Sequence, residues 1–457
     1  MKQLREEDKI IDAVKRVHMI GIGGSGMCPL AEILHSKGYI LSGSDNNESD
    51  PLKRIRNLGI KVYMGHSAEN VGDSELVVYS AAISQDNPEL CEARSKGIPT
   101  MERSLLLGAL TRKFDNVIGV CGTHGKTTVT SMITQILYLN NLDPTAVIGG
   151  RLPLLGTNGR CGQSEHMVCE SCEFVDTFLK LSPDVSVLLN IDDDHLDYFG
   201  TMENLVASFK KFISMSHTAY INGDDPLVRG AADGITAKII TFGLDDKNDF
   251  YAANIKQGAL GFEFDVMQKG TTLGRVHMRI PGEHNIYNGL AAFAVTYDLG
   301  VSAEGIDNAL SKFTGAGRRF EFLCDKNGKT LVDDYAHHPT EIEATLRAAK
   351  SLDYKRVIAV FQPFTFSRTA LLKDEFISAL SHADSVVLTP IMGSREVNTY
   401  GIHSEDIASQ LPDAVVKETF EQVADYVCEI AREGDLIITM GGGDIYKAAH
   451  IVQEKLS

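Results

Sequence analysis

The amino-acid sequence predicts an α/β protein with three domains, and three observations support that prediction. The chain has 457 residues, and at about 150 residues per domain this length accommodates three hydrophobic cores. Three stretches repeat the order of apolar run, turn and helix-like segment, which is typical of parallel strands joined by crossover helices. Two of the turns are rich in glycine, and each stands between a predicted strand and a predicted helix.

The first stretch, residues 1–107, predicts a Rossmann-like domain. Its predicted strands are Val17–Ile20, Ile60–Tyr63 and Glu75–Tyr79. A helix is expected over Met27–Lys37, directly after the first glycine loop. A second helix-like segment, Met101–Arg112, leads toward the next domain, so we place the boundary near residue 107.

The second stretch, residues 108–318, predicts a central domain of the P-loop ATPase type with a mixed sheet. Apolar strands are expected at Asn116–Val120 and Val185–Leu189, with a helix at Thr127–Leu139 between them. Phe262–Val266 and Val276–Ile280 then alternate apolar and polar residues, which predicts antiparallel strands with one solvated face. A helix follows over Asn285–Leu299.

The third stretch, residues 319–457, returns to the Rossmann-like pattern. Its apolar runs predict strands at Thr330–Val332, Arg356–Phe361, Ser385–Leu388 and Leu436–Met440. Helix-like segments separate these runs, as crossover connections in a parallel sheet require.

Composition narrows the functional classes. With 44 Lys and Arg against 61 Asp and Glu, the formal net charge is −17, which argues against a nucleic-acid-binding protein. No apolar run reaches the roughly 18 residues of a membrane span, and the charged N-terminal segment does not resemble a signal peptide. The eight cysteines are expected to be reduced thiols. We therefore expect a cytoplasmic protein with neither a nucleic-acid nor a membrane partner.

The first glycine loop matches G-x-G-x-x-G after a strand and before a helix. The candidate ligand residues are Gly21, Gly23, Gly24, Ser25, Gly26 and, after the next strand, Asp45. Glycines let the backbone approach a pyrophosphate at the helix N-terminus, while a carboxylate binds a ribose hydroxyl. A turn that serves packing alone is the alternative. The residues themselves leave NAD as the default ligand.

The second glycine loop also lies between a strand and a helix. It comprises Gly122, Thr123, His124, Gly125, Lys126, Thr127 and Thr128. Val120 stands where the strict P-loop pattern has its first glycine. Successive N–H groups nevertheless form an anion nest, the lysine reaches the β- and γ-phosphates, and a threonine hydroxyl can bind Mg²⁺. The alternative is an ordinary turn with a surface lysine.

Acidic residues follow two strands of the central domain. Glu170 and Glu173 come after one apolar run, and Asp192–Asp194 with His195 come after another. In an open α/β sheet these positions lie beside the phosphate loop, where oxygen ligands suit Mg²⁺. A solvated acidic turn is the alternative. A Cys/His set, residues 161, 166, 169 and 172, is better explained as buried thiols than as a zinc site.

Nine motifs together resemble the Mur ligase family along essentially the whole chain. They are GIGGSGM at 21–27, GTHGKTT at 122–128, NIDDDHLDY at 190–198, NGDDP at 222–226, PGEHNIYN at 281–288, GRRFE at 317–321, DDYAHHPTEI at 333–342, FQPFTFSRT at 361–369 and MGGGDIY at 440–446. The resemblance replaces NAD with a UDP-sugar in the first domain. It implies an ATP-dependent, ADP-forming ligase of peptidoglycan precursor synthesis. This enzyme joins L-alanine to the lactyl carboxylate of UDP-N-acetylmuramate through an acyl phosphate.

The resemblance also implies roles for single residues. Asn158 joins the first glycine loop in the substrate site. Lys126 neutralises charge on the transferred phosphoryl group, and Thr127, Glu173 and His195 contact Mg²⁺. ATP is further bound by Asn285 and Asn288 near adenine, by Arg319 at a phosphate and by Asp334 at the ribose. His337 and Arg368, in a C-terminal domain that closes over ATP and the amino acid, act on the acyl phosphate and the amino acid.

Several positions depart from the family pattern. Cys172 and Val175 stand where many members have Asp, Phe364 replaces a His, and Glu283 replaces an Arg. Lys210 or Lys211 lies in the region where relatives carry a carbamoylated lysine. The remaining alternatives are a recycling ligase that attaches a tripeptide, a folylpolyglutamate-type synthase, and an NAD- and ATP-binding regulatory protein. We expect a monomer or a weak homodimer.

Overall fold

A computed structural model describes residues 4–258, 260–394 and 396–456. These residues form three β-sheets, each covered by helices, which confirms the predicted fold class. The chain divides into two compact units. One takes in the described residues up to Asn254 with Phe264–Val276 and Tyr287–Ser311, and the other comprises the rest.

The first sheet is entirely parallel and has the strand order β3-β2-β1-β4-β5. Its strands are β1 (Arg16–Ile20), β2 (Ile40–Asp45), β3 (Lys61–Met64), β4 (Leu76–Tyr79) and β5 (Thr100–Glu102). Its helices are α1 (Glu6–Ala13), α2 (Cys28–Ser36), α3 (Asp50–Asn57), α4 (Pro88–Ser95) and α5 (Arg103–Thr111). Parallel strands bury both faces, so β1 reads as a nearly continuous apolar run.

The expected helix over Met101–Arg112 is wrong at its beginning. Residues 100–102 form the edge strand β5, in which Thr100 pairs with Val77 of β4. The helix begins only at Arg103, because the Glu102 side chain accepts a hydrogen bond from the Ser104 amide and caps the first turn.

The second sheet has ten strands in the order β15-β14-β13-β12-β11-β10-β6-β9-β7-β8. They are β6 (Asn116–Cys121), β7 (Thr145–Leu152), β8 (Thr157–Arg160), β9 (His166–Glu170), β10 (Val185–Leu188), β11 (Thr218–Asn222), β12 (Lys238–Gly243), β13 (Phe250–Gln257), β14 (Phe262–Gln268) and β15 (Thr271–His277). The helices are α6 (Lys126–Leu139), α7 (Leu196–Phe199), α8 (Met202–Ile213), α9 (Pro226–Ala232), α10 (His284–Asp298) and α11 (Ala303–Leu310). Two 3₁₀ segments, Ala68–Val71 and Phe174–Lys180, complete the helical elements of residues 4–311.

This sheet is mixed, as predicted. Strands β6, β9, β10 and β11 run parallel, whereas β7 and β8 form an antiparallel hairpin at one edge. The expected strand over Val276–Ile280 is wrong in position, because β15 ends at His277. Lys269 and Gly270 both have positive φ and form the turn that precedes β15. The strand therefore begins at Thr271, earlier than expected, and ends before Ile280.

The third sheet has the order β16-β17-β21-β18-β19-β20, with only β16 antiparallel to its neighbour. Its strands are β16 (Glu321–Lys326), β17 (Lys329–Asp334), β18 (Arg356–Phe361), β19 (Ser385–Leu388), β20 (Val415–Val416) and β21 (Asp435–Met440). The helices are α12 (Pro339–Lys350), α13 (Phe366–Leu371), α14 (Lys373–Leu380), α15 (Ser404–Ala408), α16 (Phe420–Ile430) and α17 (Tyr446–Lys455). The loops that follow β17, β18 and β21 meet at the carboxyl edge, where ligands bind in open α/β sheets.

Two further expectations concern the whole chain. All eight cysteines are free thiols, as predicted. None of the helices in the described part of the chain combines the length and apolar character that crossing a bilayer requires.

Candidate active site

The first glycine loop connects β1 to α2 and is hydrogen-bonded to the end of β2. The amides of Gly21 and Ile22 both donate to the Ser44 carbonyl oxygen, at 2.8 and 3.1 Å. Gly21 has a φ of +75°, a backbone conformation that side chains other than glycine rarely adopt. The loop therefore depends on glycine for its turn, as the sequence motif predicted.

Asp45 is bound to the loop itself. Its Oδ2 atom accepts a hydrogen bond from the Gly23 amide at 2.9 Å, and its Oδ1 atom accepts one from the Asn47 amide at 3.1 Å. A Cβ at Gly23 would lie 3.0 Å from the Asp45 carboxylate, so a larger residue would crowd this contact. The structure thus joins Asp45 to the glycine loop, and its contact with a ribose hydroxyl stays a prediction.

The second glycine loop connects β6 to α6. Gly122 has a φ of +131° and Gly125 a φ of +83°, so both turns of the loop use glycine geometry. Thr127 and Thr128 are buried in the first turn of α6. The helix begins at Lys126, which places the amides of its first turn at the loop and makes it a suitable anion site.

Asn190, just after β10, clamps this loop, and the sequence analysis did not identify it as functional. Its Oδ1 atom accepts from the His124 amide at 2.7 Å, and its Nδ2 atom donates to the His124 carbonyl at 3.1 Å. Its own carbonyl accepts from the Thr123 amide. His124 and Asp192 also pair, Nε2 to Oδ2, at 3.0 Å. Asn190 is the first residue of the motif NIDDDHLDY, and its place in this motif could have identified it.

Lys126 lies inside the loop and forms an ion pair with Glu173. Its Nζ atom donates to the carbonyl oxygens of Gly122 and Thr123, at 2.6 and 2.9 Å, and lies 3.0 Å from the Glu173 carboxylate. Burial, the largest single effect, would lower the pKa of Lys126. The charge and hydrogen bond of Glu173, together with neighbouring Cys172 and Glu170, outweigh burial and raise the pKa. The lysine is therefore a fixed positive charge at the loop.

The Glu173 carboxylate is buried and faces Lys126 with both oxygens. Its Oε1 atom accepts the hydrogen bond from Nζ, and its Oε2 atom also lies 3.0 Å from Nζ. Burial, and then the charge of Glu173, raise the pKa of neighbouring Cys172 to about 11, so this thiol stays protonated. A carboxylate oxygen beside a threonine-bearing phosphate loop fits Mg²⁺.

His195 lies beside this ion pair. Its Nε2 atom is 4.0 Å from a Glu173 oxygen and 3.6 Å from Asp194, and its ring packs on Phe174 with centroids 4.8 Å apart. His195 and Val175 both have positive φ, 59° and 54°. Strained non-glycine backbone of this kind is typical of functional sites. The structure thus brings together Lys126, Glu173 and His195.

The sequence analysis considered two metal sites, one for Mg²⁺ at the second glycine loop and one for zinc at the Cys/His set 161–172. Within the described part of the chain, no group of three or more His, Cys, Asp and Glu side chains is arranged to hold a metal ion. Within the Cys/His set at 161–172, Cys169 is buried, whereas Cys161 and Cys172 are half-buried. Mg²⁺ does not require a cage of that kind, since it is commonly held by one or two carboxylates with phosphates and water.

The two asparagines of the predicted adenine site lie at the beginning of α10 and are both buried. A Cβ at Gly125 would lie 2.7 Å from the Asn288 Oδ1 atom, so Asn288 packs directly on the second glycine loop. Asn285 donates a hydrogen bond from its Nδ2 atom to the Pro281 carbonyl at 2.6 Å.

Lys210 lies in the region where relatives carry a carbamoylated lysine. It stands on α8, and its Nζ atom donates to the Asp233 carbonyl at the surface.

The second unit has its own polar cluster at the end of β17. The Asp334 carboxylate accepts hydrogen bonds from the Phe320 and Ala336 amides, each at 2.7 Å. Burial raises the pKa of Asp334 to about 6, against the opposing charge of Arg319. Arg318, adjacent to the predicted phosphate contact, instead holds the glycine loop after β21 by donating to the carbonyls of Gly441 and Gly443.

His337 belongs to the same cluster, and Glu341 joins it to Arg319. The His337 Nδ1 atom lies 3.1 Å from Glu341 Oε2, and Arg319 Nη1 lies 3.7 Å from Glu341 Oε1. The Phe364 ring, which replaces a family histidine, meets the His337 ring edge to face at 6.0 Å. Arg368 lies in α13, in the same unit. The sequence analysis did not identify Glu341 as a site residue, although it stands in the motif DDYAHHPTEI.

The chain matches three family models in succession. They are the Mur ligase family catalytic domain over residues 16–115, the Mur ligase middle domain over residues 120–296, and the Mur ligase glutamate ligase domain over residues 318–443. Two similar relatives are named UDP-N-acetylmuramate–L-alanine ligase. The one from Acetivibrio thermocellus is 45% identical over 446 residues, covering 96% of this chain and 95% of that protein. The one from Caldicellulosiruptor saccharolyticus is 44% identical, covering 97% and 99%.

Solved structures agree with these matches. A UDP-N-acetylmuramate–alanine ligase from Thermotoga maritima superposes with a TM-score of 0.84 at 27% identity, covering 96% of this chain and 98% of that one. A murein peptide ligase from Psychrobacter arcticus superposes with a TM-score of 0.75 at 24% identity, covering 97% and 98%, and shows the shared fold. The three family models and the relatives that match nearly the whole length show that this chain belongs to the Mur ligase family.

Proposed function

We propose that this protein is an ATP-dependent ligase that joins L-alanine to the lactyl carboxylate of UDP-N-acetylmuramate. The observation that carries the proposal is the placement of Lys126 in the second glycine loop, 3.0 Å from the buried carboxylate of Glu173. Relatives with this activity in their names, 45% and 44% identical to the chain over nearly its whole length, support the choice of substrates.

The proposed reaction uses both glycine loops, one for the sugar nucleotide and one for ATP. A carboxylate oxygen of the sugar nucleotide bonds to the γ-phosphorus of ATP, the bond to ADP breaks, and an acyl phosphate forms. The amine of L-alanine then attacks the acyl carbon, phosphate leaves with the bonding electrons, and the amine loses a proton. Lys126 and the amides of the first turn of α6 hold the negative charge that develops in the first step.

A divalent cation fits the same site. The buried Glu173 carboxylate lies at the second glycine loop, 3.0 Å from Lys126 Nζ, and Thr127 is buried in the first turn of the helix that follows the loop. We assign these two residues, with His195, to Mg²⁺. When bound, Mg²⁺ would neutralise charge on the phosphates. Thr123, His124, Gly125 and Thr128 complete the phosphate site in this proposal, and Asn288 packs behind it.

The second unit supplies the remaining roles. We assign Arg319 to a phosphate, Asp334 to the ribose, and His337 and Arg368 to the acyl phosphate and the amino acid. The position of Glu341 supports this grouping, since its carboxylate lies 3.7 Å from Arg319 Nη1 and 3.1 Å from His337 Nδ1. Asn285 is assigned to adenine with Asn288.

The same proposal gives each domain a role. Residues 1–107 bind the UDP-sugar through Gly21, Gly23, Gly24, Ser25, Gly26 and Asp45, and residues 108–318 bind ATP. Residues 319–457 bind the amino acid and contribute to the binding of ATP. We further propose that the ligase acts in the cytoplasm as a monomer or weak homodimer, with no nucleic-acid or membrane partner. The formal charge of −17 supports the absence of a nucleic-acid partner.

Phosphate release measured with single components omitted tests the function. We expect release only when ATP, Mg²⁺, UDP-N-acetylmuramate and an amino acid are all present, with L-alanine giving the highest kcat/KM. Glycine, L-serine and the tripeptide of a recycling ligase are the competing acceptors. If the tripeptide is preferred, the recycling alternative is correct. If no acceptor stimulates release, the assignment as a ligase is wrong.

A further inference from the structure

A buried asparagine joins the central sheet to the first glycine loop. Asn158, on β8, donates its Nδ2 atom to the Ser25 carbonyl oxygen at 2.7 Å and to the Ile148 carbonyl at 3.3 Å. Its Oδ1 atom accepts from Arg54 Nη2 at 3.5 Å, and its side chain is only 6% exposed. Both ends of the carboxamide are therefore engaged by protein atoms.

The hairpin that carries Asn158 is fixed to α2 at two further points. The Thr157 hydroxyl donates to Glu32 Oε2 at 3.0 Å. A Cβ at Gly159 would lie 2.6 Å from the Pro29 Cα atom, so the close approach of β8 to α2 requires glycine at this position. The contact with Ser25 is thus part of a tightly packed junction.

The other strand of the hairpin is anchored next to the Lys126 site. The Gly149 amide on β7 donates to Glu170 Oε2 at 2.8 Å, and a Cβ at Gly149 would lie 2.5 Å from that carboxylate. Because Gly149 follows Ile148, whose carbonyl binds Asn158, the hairpin is held on both sides. Asn158 therefore presents its donor to Ser25 from a rigid support.

The hydrogen bond from Asn158 to the Ser25 carbonyl also fixes the direction of the Gly26 N–H group. In a trans peptide, the carbonyl of Ser25 and the N–H of Gly26 point in opposite directions within one plane. Holding the carbonyl on Asn158 aims the Gly26 N–H away from the hairpin. Without that donor, the peptide is free to rotate and the loop loses a fixed amide.

We propose that Asn158 is a positioning residue for the sugar-nucleotide site, acting through the Ser25–Gly26 peptide. The inference rests on the proposed function, because it takes the pyrophosphate of UDP-N-acetylmuramate as the ligand of the loop. The affected quantity is the binding of the sugar nucleotide. Chemistry at Lys126 is unaffected.

Asn158→Asp tests the inference with the smallest change in shape. The variant replaces the donor with an oxygen that repels the Ser25 carbonyl, while the other oxygen still faces Arg54. We expect the KM for UDP-N-acetylmuramate to rise about 10- to 100-fold, with the KM for ATP and kcat within threefold of wild type. Thr157→Val is the matched control. It weakens the same junction, so its melting temperature falls while the KM for the sugar nucleotide stays within twofold.

Direct calorimetry of UDP-N-acetylmuramate binding without ATP keeps the inference and the proposed function distinguishable. Weaker binding by Asn158→Asp than by wild type supports the inference even if no amino acid stimulates turnover. A binding constant and KM within twofold of wild type overturn it, whatever happens to the melting temperature. A wild-type protein that binds no UDP-N-acetylmuramate overturns both.

Discussion

The two glycine loops have the same position between strand and helix but are stabilised in different ways. The first is fixed by neutral amides on the Ser44 carbonyl and by the Asp45 carboxylate on Gly23. The second contains Lys126, whose ammonium lies between two loop carbonyls and the buried Glu173. The first loop thus has an acid as its anchor, and the second has a base.

This difference matches two kinds of phosphate chemistry. A pyrophosphate that is only bound needs fixed amides, because its charge does not change. A phosphoryl group in transfer gains charge that a cation must stabilise. In the proposed function, the glycine-rich turn therefore has the role of binding phosphate, and the charged side chain beside it has the role of making the phosphate react.

Replacing the lysine should have the largest effect. We expect Lys126→Met to lower kcat by about 1,000-fold or more, with UDP-N-acetylmuramate binding unchanged by calorimetry. The variant also leaves the buried Glu173 carboxylate without its partner, which lowers the free energy of unfolding by roughly 3–5 kcal/mol.

Two controls sharpen this result. The double variant Lys126→Met/Glu173→Gln should regain stability but not activity, because the unpaired buried charge is gone. Lys238→Met, at an exposed lysine of β12, should leave both unchanged. Loss of sugar-nucleotide binding with ATP binding retained would show that the ligands of the two loops are exchanged.

Replacing one glycine of each loop with alanine should show that the two loops differ in how well they tolerate a side chain. Gly125 has a φ of +83°, and its Cβ would lie 2.7 Å from Asn288. We expect Gly125→Ala to cost about 1–3 kcal/mol in unfolding free energy and to weaken ATP binding about tenfold or more. Gly26→Ala meets only the flexible Arg103 side chain, at 3.0 Å, so its stability should change by less than about 1 kcal/mol. Urea unfolding and calorimetry measure both, and equal costs would contradict the comparison.

The last comparison concerns the support beneath the first loop. The Ser44 hydroxyl donates to Glu89 at 2.6 Å, as does Asn70, and His18 and His66 lie 3.6 and 3.2 Å from the same carboxylate. Burial alone would raise the pKa of Glu89, but His18, Ser44 and Asn70 outweigh it and lower the pKa to about 2. The carboxylate is therefore ionised within the fold.

The sign of the pH dependence follows from that lowered pKa. Glu89 adds stability above its unfolded pKa of about 4.5, and this contribution is lost as pH falls toward 2. Glu89→Gln should thus lower the unfolding free energy by on the order of 3 kcal/mol at pH 7, and by clearly less at pH 3. Glu92→Gln, which removes only a surface pair with Lys96, is the matched control. A cost of Glu89→Gln that does not change with pH would contradict the argument.

Much of the fold could be predicted because strand and helix patterns are local. The strands β1, β18 and β19 lie within a residue of their expected positions, since each is a continuous apolar run. Short edge strands such as Thr100–Glu102 were missed, because three residues carry no periodicity and pairing alone defines them.

By itself, the sequence determined the three-domain α/β class, the two glycine loops and the family, because these depend on residues adjacent in the chain. Only the tertiary structure decided which distant residues support them. Asn190 clamps His124, Glu341 links His337 to Arg319, and Asn158 holds Ser25 across 133 positions. A hydrogen bond requires its two atoms to meet within about 3 Å, and for residues far apart in the chain that distance is set by packing.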